Sequence, residues 1–149
     1  MFRSLLLAAF LAPSLAAPAA AEDECRFYTY RAVVTEVLDG DTVRANVDLG
    51  FRIWVNDETF RLYGINAPET RLGGANRTTE AEKARGLAAK AALAELVEGR
   101  RITICTIRDR QEKYGRYLAR LFLDDLDVNE WLVREGHAER YMDERASLN

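Results

Sequence analysis

Short runs of alternating apolar and polar residues, separated by turn residues, dominate the first half of this chain. Every second residue from Val43 to Leu49 is apolar, which is the period of a strand with one buried face. Residues 31–38 are rich in β-branched side chains, and residues 39–41 between the two runs read Asp-Gly-Asp, a sequence typical of tight turns. The pattern predicts an antiparallel meander.

Further strand candidates extend this meander into a small β-rich domain. Residues 51–55 and 59–65 are apolar enough to pair, and the Asn-Asp-Glu sequence between them is turn-like. Residues 101–107 and 117–123 follow later in the chain. Five or so short strands in one chain of 149 residues are typical of a small closed β-barrel.

Two helices are predicted beside the strands. Residues 80–98 are rich in Ala, Leu, Glu and Lys, which are strong helix formers. The apolar positions with helical spacing that predict its buried face are Ala84, Leu87, Ala88 and Ala91, broadened by Leu93, Leu96 and Val97. A shorter helix begins at Asp127, with Glu130 placed as in a capping box, and ends near Gly136. The fold class is therefore α+β, a five-stranded barrel with two to three packed helices.

The N-terminus has the pattern of a secretory signal peptide. Arg3 precedes an apolar run at residues 5–12, and three alanines at residues 19–21 precede an acidic stretch. The run is shorter than the roughly 20 residues that span a bilayer. We expect cleavage after Ala21, so that residues 1–21 are the signal peptide and residues 22–149 form a secreted or periplasmic domain. A retained N-terminal anchor is the alternative.

The two cysteines, Cys25 and Cys105, both fall after the predicted cleavage site. An even number of cysteines in an oxidising compartment favours a disulfide, here closing a long loop. Two unpaired thiols are the alternative. A zinc site is disfavoured, because the chain has no Cys-x-x-Cys sequence and a single histidine.

Charge is unevenly distributed along the chain. Residues 22–70 carry a net charge of −5, residues 71–120 a net charge of +6 and residues 121–149 a net charge of −5. The overall balance of −3 would argue against a polyanionic partner. The basic central segment instead predicts a local positive face that attracts one.

Three short motifs carry the residue types that phosphate chemistry uses. They are Asp-Gly-Asp-Thr at residues 39–42, Arg61 with Asn-Ala-Pro-Glu at residues 66–69, and Lys-Tyr-Gly-Arg at residues 113–116. The first offers hard oxygen ligands for Ca²⁺ or Mg²⁺. Arginine suits phosphate because its planar donors make bidentate contacts. Taken singly, each motif is as typical of an ordinary turn or a solvated loop.

In this order and spacing the motifs resemble the staphylococcal (micrococcal) nuclease-like family. The resemblance runs through the following segments: LDGDTV (residues 38–43), FRLYGINAPET (60–70), EKARGLAAKAAL (82–93), KYGRYLARLF (113–122) and VNEWLVREGHA (128–138). It implies a barrel of the OB-fold type and a Ca²⁺-dependent phosphodiesterase acting on DNA and RNA, although another divalent metal is possible. We expect a monomer with no stable membrane association once the signal peptide is removed.

The resemblance also assigns roles to individual residues. Asp41 and Asn66 with the Ala67 carbonyl would hold the metal, Glu69 would act as general base or orient water, and the scissile phosphate would be gripped by Arg61 and Arg116. Substrate contacts would come from Lys113, Tyr114 and Tyr141. Asn66 stands where the family usually has a second aspartate, so the metal site has lost one negative charge.

Two other functions remain open from the sequence. The asparagine at position 66 and the acidic net charge are compatible with a catalytically weakened module that binds nucleic acid without cleaving it. A protein-interaction domain with no salt-sensitive binding of nucleic acid is a further alternative.

Overall fold

The computed structural model describes residue 25 and residues 28–72, 78–111 and 114–141, with the backbone alone at residues 108–110. The predicted signal peptide and Lys113 lie outside these described residues. Among the residues described, no helix is long and apolar enough to cross a membrane.

Five strands close into a barrel. They are β1 (Thr29–Asp39), β2 (Thr42–Asp48), β3 (Trp54–Leu62), β5 (Arg101–Gln111) and β6 (Tyr117–Leu123). Neighbours pair in the order β3-β2-β1-β5-β6, and a parallel pairing of β6 with β3 completes the ring. Closure removes the exposed sheet edges that would otherwise pair with other chains. The predicted α+β barrel of the OB-fold type is confirmed.

Smaller elements pack around the barrel. They are β4 (Ile65–Asn66), α1 (Glu80–Val97), β7 (Leu126–Asp127), α2 (Val128–Arg134) and β8 (Glu139–Arg140). Strand β4 pairs with β8 in a separate two-stranded sheet. The two helices contribute Leu93 and Leu132 to a core that strand residues such as Val43 and Leu121 complete.

Strand β3 differs from the sequence prediction. The Asn-Asp-Glu segment is a bulge within one continuous strand, because β3 has one more residue than β2 between the pairs Ala45–Glu58 and Val47–Val55. Asp57 has a φ of 61° there, and its backbone N–H donates to Asn46 Oδ1 at 3.0 Å. Asparagine and aspartate tolerate this left-handed backbone. The turn between β2 and β3 lies earlier, at residues 49–53.

The buried face of α1 also differs from the prediction. Gly86, Ala89, Leu93 and Val97 are buried, whereas Ala84, Leu87, Ala88 and Ala91 are exposed. Alanine is so frequent in this helix that several faces are similarly apolar, and contacts with the rest of the fold decide which one is covered. Leu93 and Val97 are buried as predicted, and the first half of the helix packs through Gly86 and Ala89.

Helix α2 begins as predicted, with Asp127 accepting from the backbone N–H of Glu130 at 3.1 Å. The Glu130 side chain does not complete the predicted capping box. Its carboxylate instead takes two hydrogen bonds from Arg140 on β8, one of them at 2.9 Å. The ion pair ties α2 to the small β4–β8 sheet.

The predicted disulfide between Cys25 and Cys105 is present, with Cα atoms 5.2 Å apart. It joins residues separated by 80 positions in the sequence. Cys105 is fully buried on β5. The bond therefore holds the segment before β1 against the wall of the barrel.

Candidate active site

Asp41 is a buried carboxylate at the start of β2, only 3% exposed. Oδ1 accepts from the Thr42 hydroxyl at 3.0 Å and from Arg61 Nη1 at 2.9 Å. Oδ2 accepts from the backbone N–H of Ala67 at 2.9 Å. A buried carboxylate is tolerated when such bonds satisfy it. Asp41 therefore joins the β1–β2 turn, the end of β3 and the loop after β4.

Arg61 bridges two of the residues that the sequence nominated. It lies opposite Thr42 in the β2–β3 pairing, so its side chain leaves the barrel beside Asp41. While Nη1 donates to Asp41, Nη2 donates to Asn66 Oδ1 at 2.7 Å. The side chain is 22% exposed, so Arg61 is partly buried and still in contact with solvent.

Small residues seat the loop that carries Ala67 and Glu69. A Cβ atom added to Gly86 in α1 would lie 2.4 Å from the Glu69 carbonyl oxygen and 2.5 Å from that of Pro68. A Cβ atom added to Gly40 would lie 2.7 Å from Ala67 Cβ. Backbone and side chains are thus in direct contact at both glycines. The only local signal of this contact in the sequence is a glycine inside an alanine-rich helix, which does not reveal the loop that it meets.

Arg116 reaches the same end of the barrel through the pairing of β3 with β6. Arg61 is the neighbour of Leu118 in this parallel pairing, two residues after Arg116. The Arg116 guanidinium carbon lies 5.4 Å from the centre of the Tyr114 ring, within range of a cation–π contact. Tyr114 itself is exposed.

The β4–β8 sheet brings Tyr141 opposite Gly64, two residues before Asn66. Asn66 pairs with Glu139, and the Tyr141 backbone N–H donates to the Gly64 carbonyl at 2.9 Å. The Tyr141 ring is exposed. Hydrogen bonds from Arg140 hold the pKa of the Glu130 carboxyl below its ordinary value of 4.5, which marks the contact that anchors β8.

Asn129 supports the site from inside the fold. Its side chain is buried, accepts from the backbone N–H of Leu121 at 3.1 Å, and donates to the Tyr63 carbonyl at 2.9 Å. These bonds connect α2 and β6 to the turn that leads into Asn66. Asn129 therefore has a structural role in this part of the fold.

Glu69 and Lys113 complete the set of nominated residues. Glu69 is exposed, two positions after Ala67 on the seated loop. Lys113 lies outside the described residues. The structure thus brings Asp41, Arg61, Asn66 and Ala67 into one hydrogen-bonded cluster. The elements that adjoin this cluster carry Glu69, Arg116, Tyr114 and Tyr141.

The cluster has oxygen ligands for a hard cation. A carboxylate offers about four lone pairs, and Asp41 uses three of them on Thr42, Arg61 and Ala67. Asn66 Oδ1 accepts from Arg61, which leaves one lone pair, and the Ala67 carbonyl adds another donor. The set fits Ca²⁺ chemically but carries a single formal charge. No group of three or more His, Cys, Asp or Glu side chains suited to a metal occurs in the described part of the chain.

Comparison with known proteins identifies one family. A family model described as staphylococcal nuclease homologue matches residues 59–148, more than half of the chain. The matched region includes Arg61, Asn66, Glu69 and Arg116, whereas Asp41 precedes it. No curated protein matches the chain.

Proposed function

This chain belongs to the family of staphylococcal nuclease homologues, a family of nuclease type, and from that premise we propose that it is a metal-dependent nuclease. Its substrates would be DNA and RNA, whose phosphodiester bonds it hydrolyses with little sequence specificity. The observation that carries the proposal is the cluster in which Arg61 spans Asp41 and Asn66 beside the Ala67 loop.

Arg61 and Arg116 would stabilise the charge that develops on the phosphate. Attack by water on a phosphodiester increases negative charge on the oxygens that do not leave. Preorganised donors aimed at those oxygens stabilise the transition state, and the loss of one donor often costs about 3 kcal/mol. Arg61 is already oriented by its bonds to Asp41 and Asn66, so little reorganisation is needed to bind the phosphate.

Asp41, Asn66 and the Ala67 carbonyl would hold a divalent cation, with Ca²⁺ the first choice because every ligand is a hard oxygen. Bound there, the cation would supply positive charge next to the phosphate and make nearby water more acidic. A single carboxylate gives weak affinity, on the order of 10⁻⁴ to 10⁻³ M for open sites of this kind.

Glu69 would orient the attacking water and accept its proton. A carboxylate needs only to lie one hydrogen bond from the water to act as general base, and Glu69 is exposed on the same loop as Ala67. Tyr114 and Tyr141, both with exposed rings, would stack on bases. Stacking tolerates any base, in keeping with low sequence specificity. Lys113 would add a phosphate contact.

A second candidate is a binding module that has lost catalysis. Asn66 favours it, because the amide brings no negative charge to the cation site and already accepts from Arg61. Such a module would shift an oligonucleotide in a gel and leave it intact at every Ca²⁺ concentration. Cleavage at millimolar Ca²⁺ would exclude it.

We further propose that the protein is exported, with residues 1–21 removed, to the periplasm or the medium. The disulfide supports this proposal, because such bonds persist in oxidising compartments and are rare in the cytosol. Edman sequencing of the purified mature protein should begin at Glu22. A mature chain that begins at Met1 would contradict the proposal.

The proposed activity is tested with purified protein on labelled single-stranded DNA and RNA, in Ca²⁺ and in chelator. We expect cleavage of both in Ca²⁺, none in chelator, and a loss of at least about 100-fold in Arg116→Ala. Arg134→Ala is the control, since Arg134 is an exposed arginine on α2 that contacts Glu135. Activity that survives both chelation and Arg116→Ala would overturn the proposal.

A further inference from the structure

Residues 49–54, here called the β2–β3 tip, expose an unusual amount of apolar surface. Phe51 is 98% exposed and Trp54 46% exposed, with Leu49 and Ile53 also exposed. Of the nine large apolar side chains exposed among the described residues, four lie in this tip. Four exposed apolar side chains within six residues are typical of an interaction surface.

The backbone of the tip is strained. Gly50, Phe51 and Arg52 have consecutive φ values of 81°, 49° and 66°. Glycine adopts this left-handed region freely, whereas a bulky residue rarely does. Glycine, asparagine or aspartate would make the same turn without strain. Strain retained at a solvent-exposed phenylalanine points to a use for its ring.

A groove lies directly beside the tip on the outer face of the sheet. It has a volume of about 270 Å³, and its lining includes Trp54, Asp48, Arg31, Thr103 and Arg101. The first four form one cross-strand row, because Trp54 pairs with Asp48, Asp48 with Arg31, and Arg31 with Thr103. The Arg31 side chain is 85% exposed. Arg31 is also paired with Asp48 at 3.6 Å. The groove thus combines an indole with two arginines in its lining, groups that suit a base and a phosphate.

The tip and the proposed active site lie at opposite ends of the β2–β3 pair. Trp54 and Arg61 pair with Asp48 and Thr42, which are six residues apart on β2, or about 20 Å at about 3.3 Å per residue. OB-folds bind single strands through this strand 2–3 face, with site sizes of about 4 to 16 nucleotides. A strand leaving Arg61 along β3 would reach Trp54 within such a length.

The charges of the groove favour stacking over electrostatic attraction. Arg31 and Arg101 are balanced by Asp48 and Asp124 in its lining, and Asp48 also accepts from the Gly50 backbone N–H at 2.8 Å. A groove without net positive charge attracts neither an anionic lipid surface nor a polyanion over long range, so binding here would depend on direct contact between rings and bases. Unpaired bases, which offer flat apolar faces with a phosphate nearby, match exposed aromatic rings beside arginine.

We propose that the β2–β3 tip and its groove form a second binding site for single-stranded nucleic acid, in which Trp54 and Phe51 stack on bases of a strand held at the active site. The identity of the occupant rests on the proposed function, whereas the site is tested by binding alone. The site explains why the tip is apolar, exposed and strained at once.

The test measures binding of a 2-nucleotide and a 15-nucleotide single strand in chelator, where hydrolysis does not interfere. Two nucleotides span roughly 14 Å even at twice the stacked rise of about 3.4 Å, too short to join Arg61 and Trp54. We expect Trp54→Ala and Phe51→Asn each to weaken binding of the long strand about tenfold and to leave the short strand unaffected. Trp54→Tyr keeps an aromatic ring that can stack, so it should bind the long strand as the unmodified protein does.

The matched control is Leu87→Ala, which removes an exposed apolar side chain from α1, away from the tip. It should bind both strands as the unmodified protein does. Equal binding of the long strand by all variants would overturn the second site, even if hydrolysis is observed. Length-dependent loss in the tip variants would support it, even if no hydrolysis is found.

Two other occupants are tested with the same variants. One possible result is that the protein sediments with anionic phospholipid vesicles, and that Phe51→Asn abolishes this sedimentation but leaves oligonucleotide binding unchanged. That result would assign the tip to a membrane and overturn the proposal. Concentration-dependent dimerisation that Phe51→Asn abolishes, again with unchanged oligonucleotide binding, would assign it to a second copy and overturn the proposal as well.

Discussion

The two ends of the β2–β3 pair are built in opposite ways. At one end Thr42 lies opposite Arg61, and the buried Asp41 carboxylate accepts a hydrogen bond from the partly exposed Arg61 guanidinium. At the other end Asp48 lies opposite Trp54, and the adjoining turn holds Phe51 in full contact with solvent. One end buries charge and the other exposes apolar rings.

The difference shows where this small barrel departs from the pattern that stability alone would favour. Burying a charge costs free energy unless it is paired, and exposing a large ring forgoes the stabilisation of burying it. Hydrogen bonds from Thr42, Arg61 and Ala67 offset the cost of burying Asp41, whereas the Phe51 ring is left exposed, where a ligand would cover it. We therefore interpret both ends as functional, the polar end in chemistry and the apolar end in binding.

Breaking the polar end should have the largest effect. Arg61→Ala removes both guanidinium bonds from Asp41 and Asn66, so we expect kcat to fall about 100- to 1,000-fold. Stability should fall by about 1 to 3 kcal/mol, because a buried carboxylate loses a partner. Hydrolysis kinetics and urea denaturation measure the two effects.

Arg44→Ala is the control on the same pair of strands. Arg44 bonds to Glu36 at 2.6 Å on a more exposed face, where such pairs contribute about 0 to 1 kcal/mol. Its kcat should stay within about twofold of the unmodified protein. Similar losses of kcat in the two variants would show that Arg61 acts through general charge alone.

Changing Gly86, which contacts the backbone of Pro68 and Glu69 below the polar end, should have the next largest effect. At an exposed position of a helix, replacing glycine by alanine stabilises a protein by about 1 kcal/mol. Here the new Cβ atom meets backbone at 2.4 Å, so we expect destabilisation of about 1 to 3 kcal/mol. The Ala67–Glu69 loop should shift, and kcat should fall about tenfold, since small misplacements of catalytic groups are costly.

Ala88→Gly separates this effect from helix propensity. Ala88 is exposed on the same helix, so the change should cost about 1 kcal/mol of stability and leave kcat unchanged. A Gly86→Ala protein that is more stable and fully active would contradict the proposed seat.

Changing the apolar end should affect stability in the opposite direction. Phe51→Asn keeps a residue that tolerates the φ of 49°, so we expect a gain of about 0.5 to 1 kcal/mol. Leu87→Asn, at an exposed position in regular helix, should give no gain. The midpoint of urea denaturation measures both, and a lower midpoint for Phe51→Asn would show that the ring contributes to folding.

The smallest effect concerns the ion pair that anchors β8 near the polar end. Bonds from Arg140 lower the pKa of Glu130 from its ordinary value of 4.5. The associated stability is therefore fully present above pH 4.5 and is lost as the pH falls through the lower folded-state pKa. The contribution is small, because both side chains are partly exposed.

Unfolding free energies between pH 3 and 6 test this sign. The difference between the unmodified protein and Glu130→Gln should be greatest above about pH 4.5 and should shrink towards pH 3. The pKa of Glu82 is also lowered, because its carboxylate accepts from the backbone N–H of Thr79. Glu82 is present in both proteins, so its contribution cancels from the difference. A difference that grows as the pH falls would contradict the assignment.

Much of the fold could be predicted because its signals are local. The alternation of β2 and the Asp127 cap depend on neighbouring residues, and both match the structure. The bulge at Asp57 and the buried face of α1 depend on partners distant in the sequence. For this reason residues 56–58 were misread as a turn and Ala84 as part of the buried face.

The same distinction applies to the site. The motifs nominated Asp41, Arg61 and Asn66, and the structure joins these three residues by hydrogen bonds. The role of Gly86 depends on a helix meeting a loop more than ten residues away, which no local pattern encodes. The tip was missed because its apolar residues also fit a buried strand.

The most direct test of the proposed metal-dependent site is a calcium titration of hydrolysis by the unmodified protein and by Asn66→Asp. The substitution restores a second carboxylate among the oxygen ligands. We predict that the half-maximal Ca²⁺ concentration falls about tenfold, since ligand charge sets the affinity of such sites. An identical calcium response in the two proteins, or hydrolysis that needs no divalent cation, would contradict the assignment of Asp41 and Asn66 as ligands.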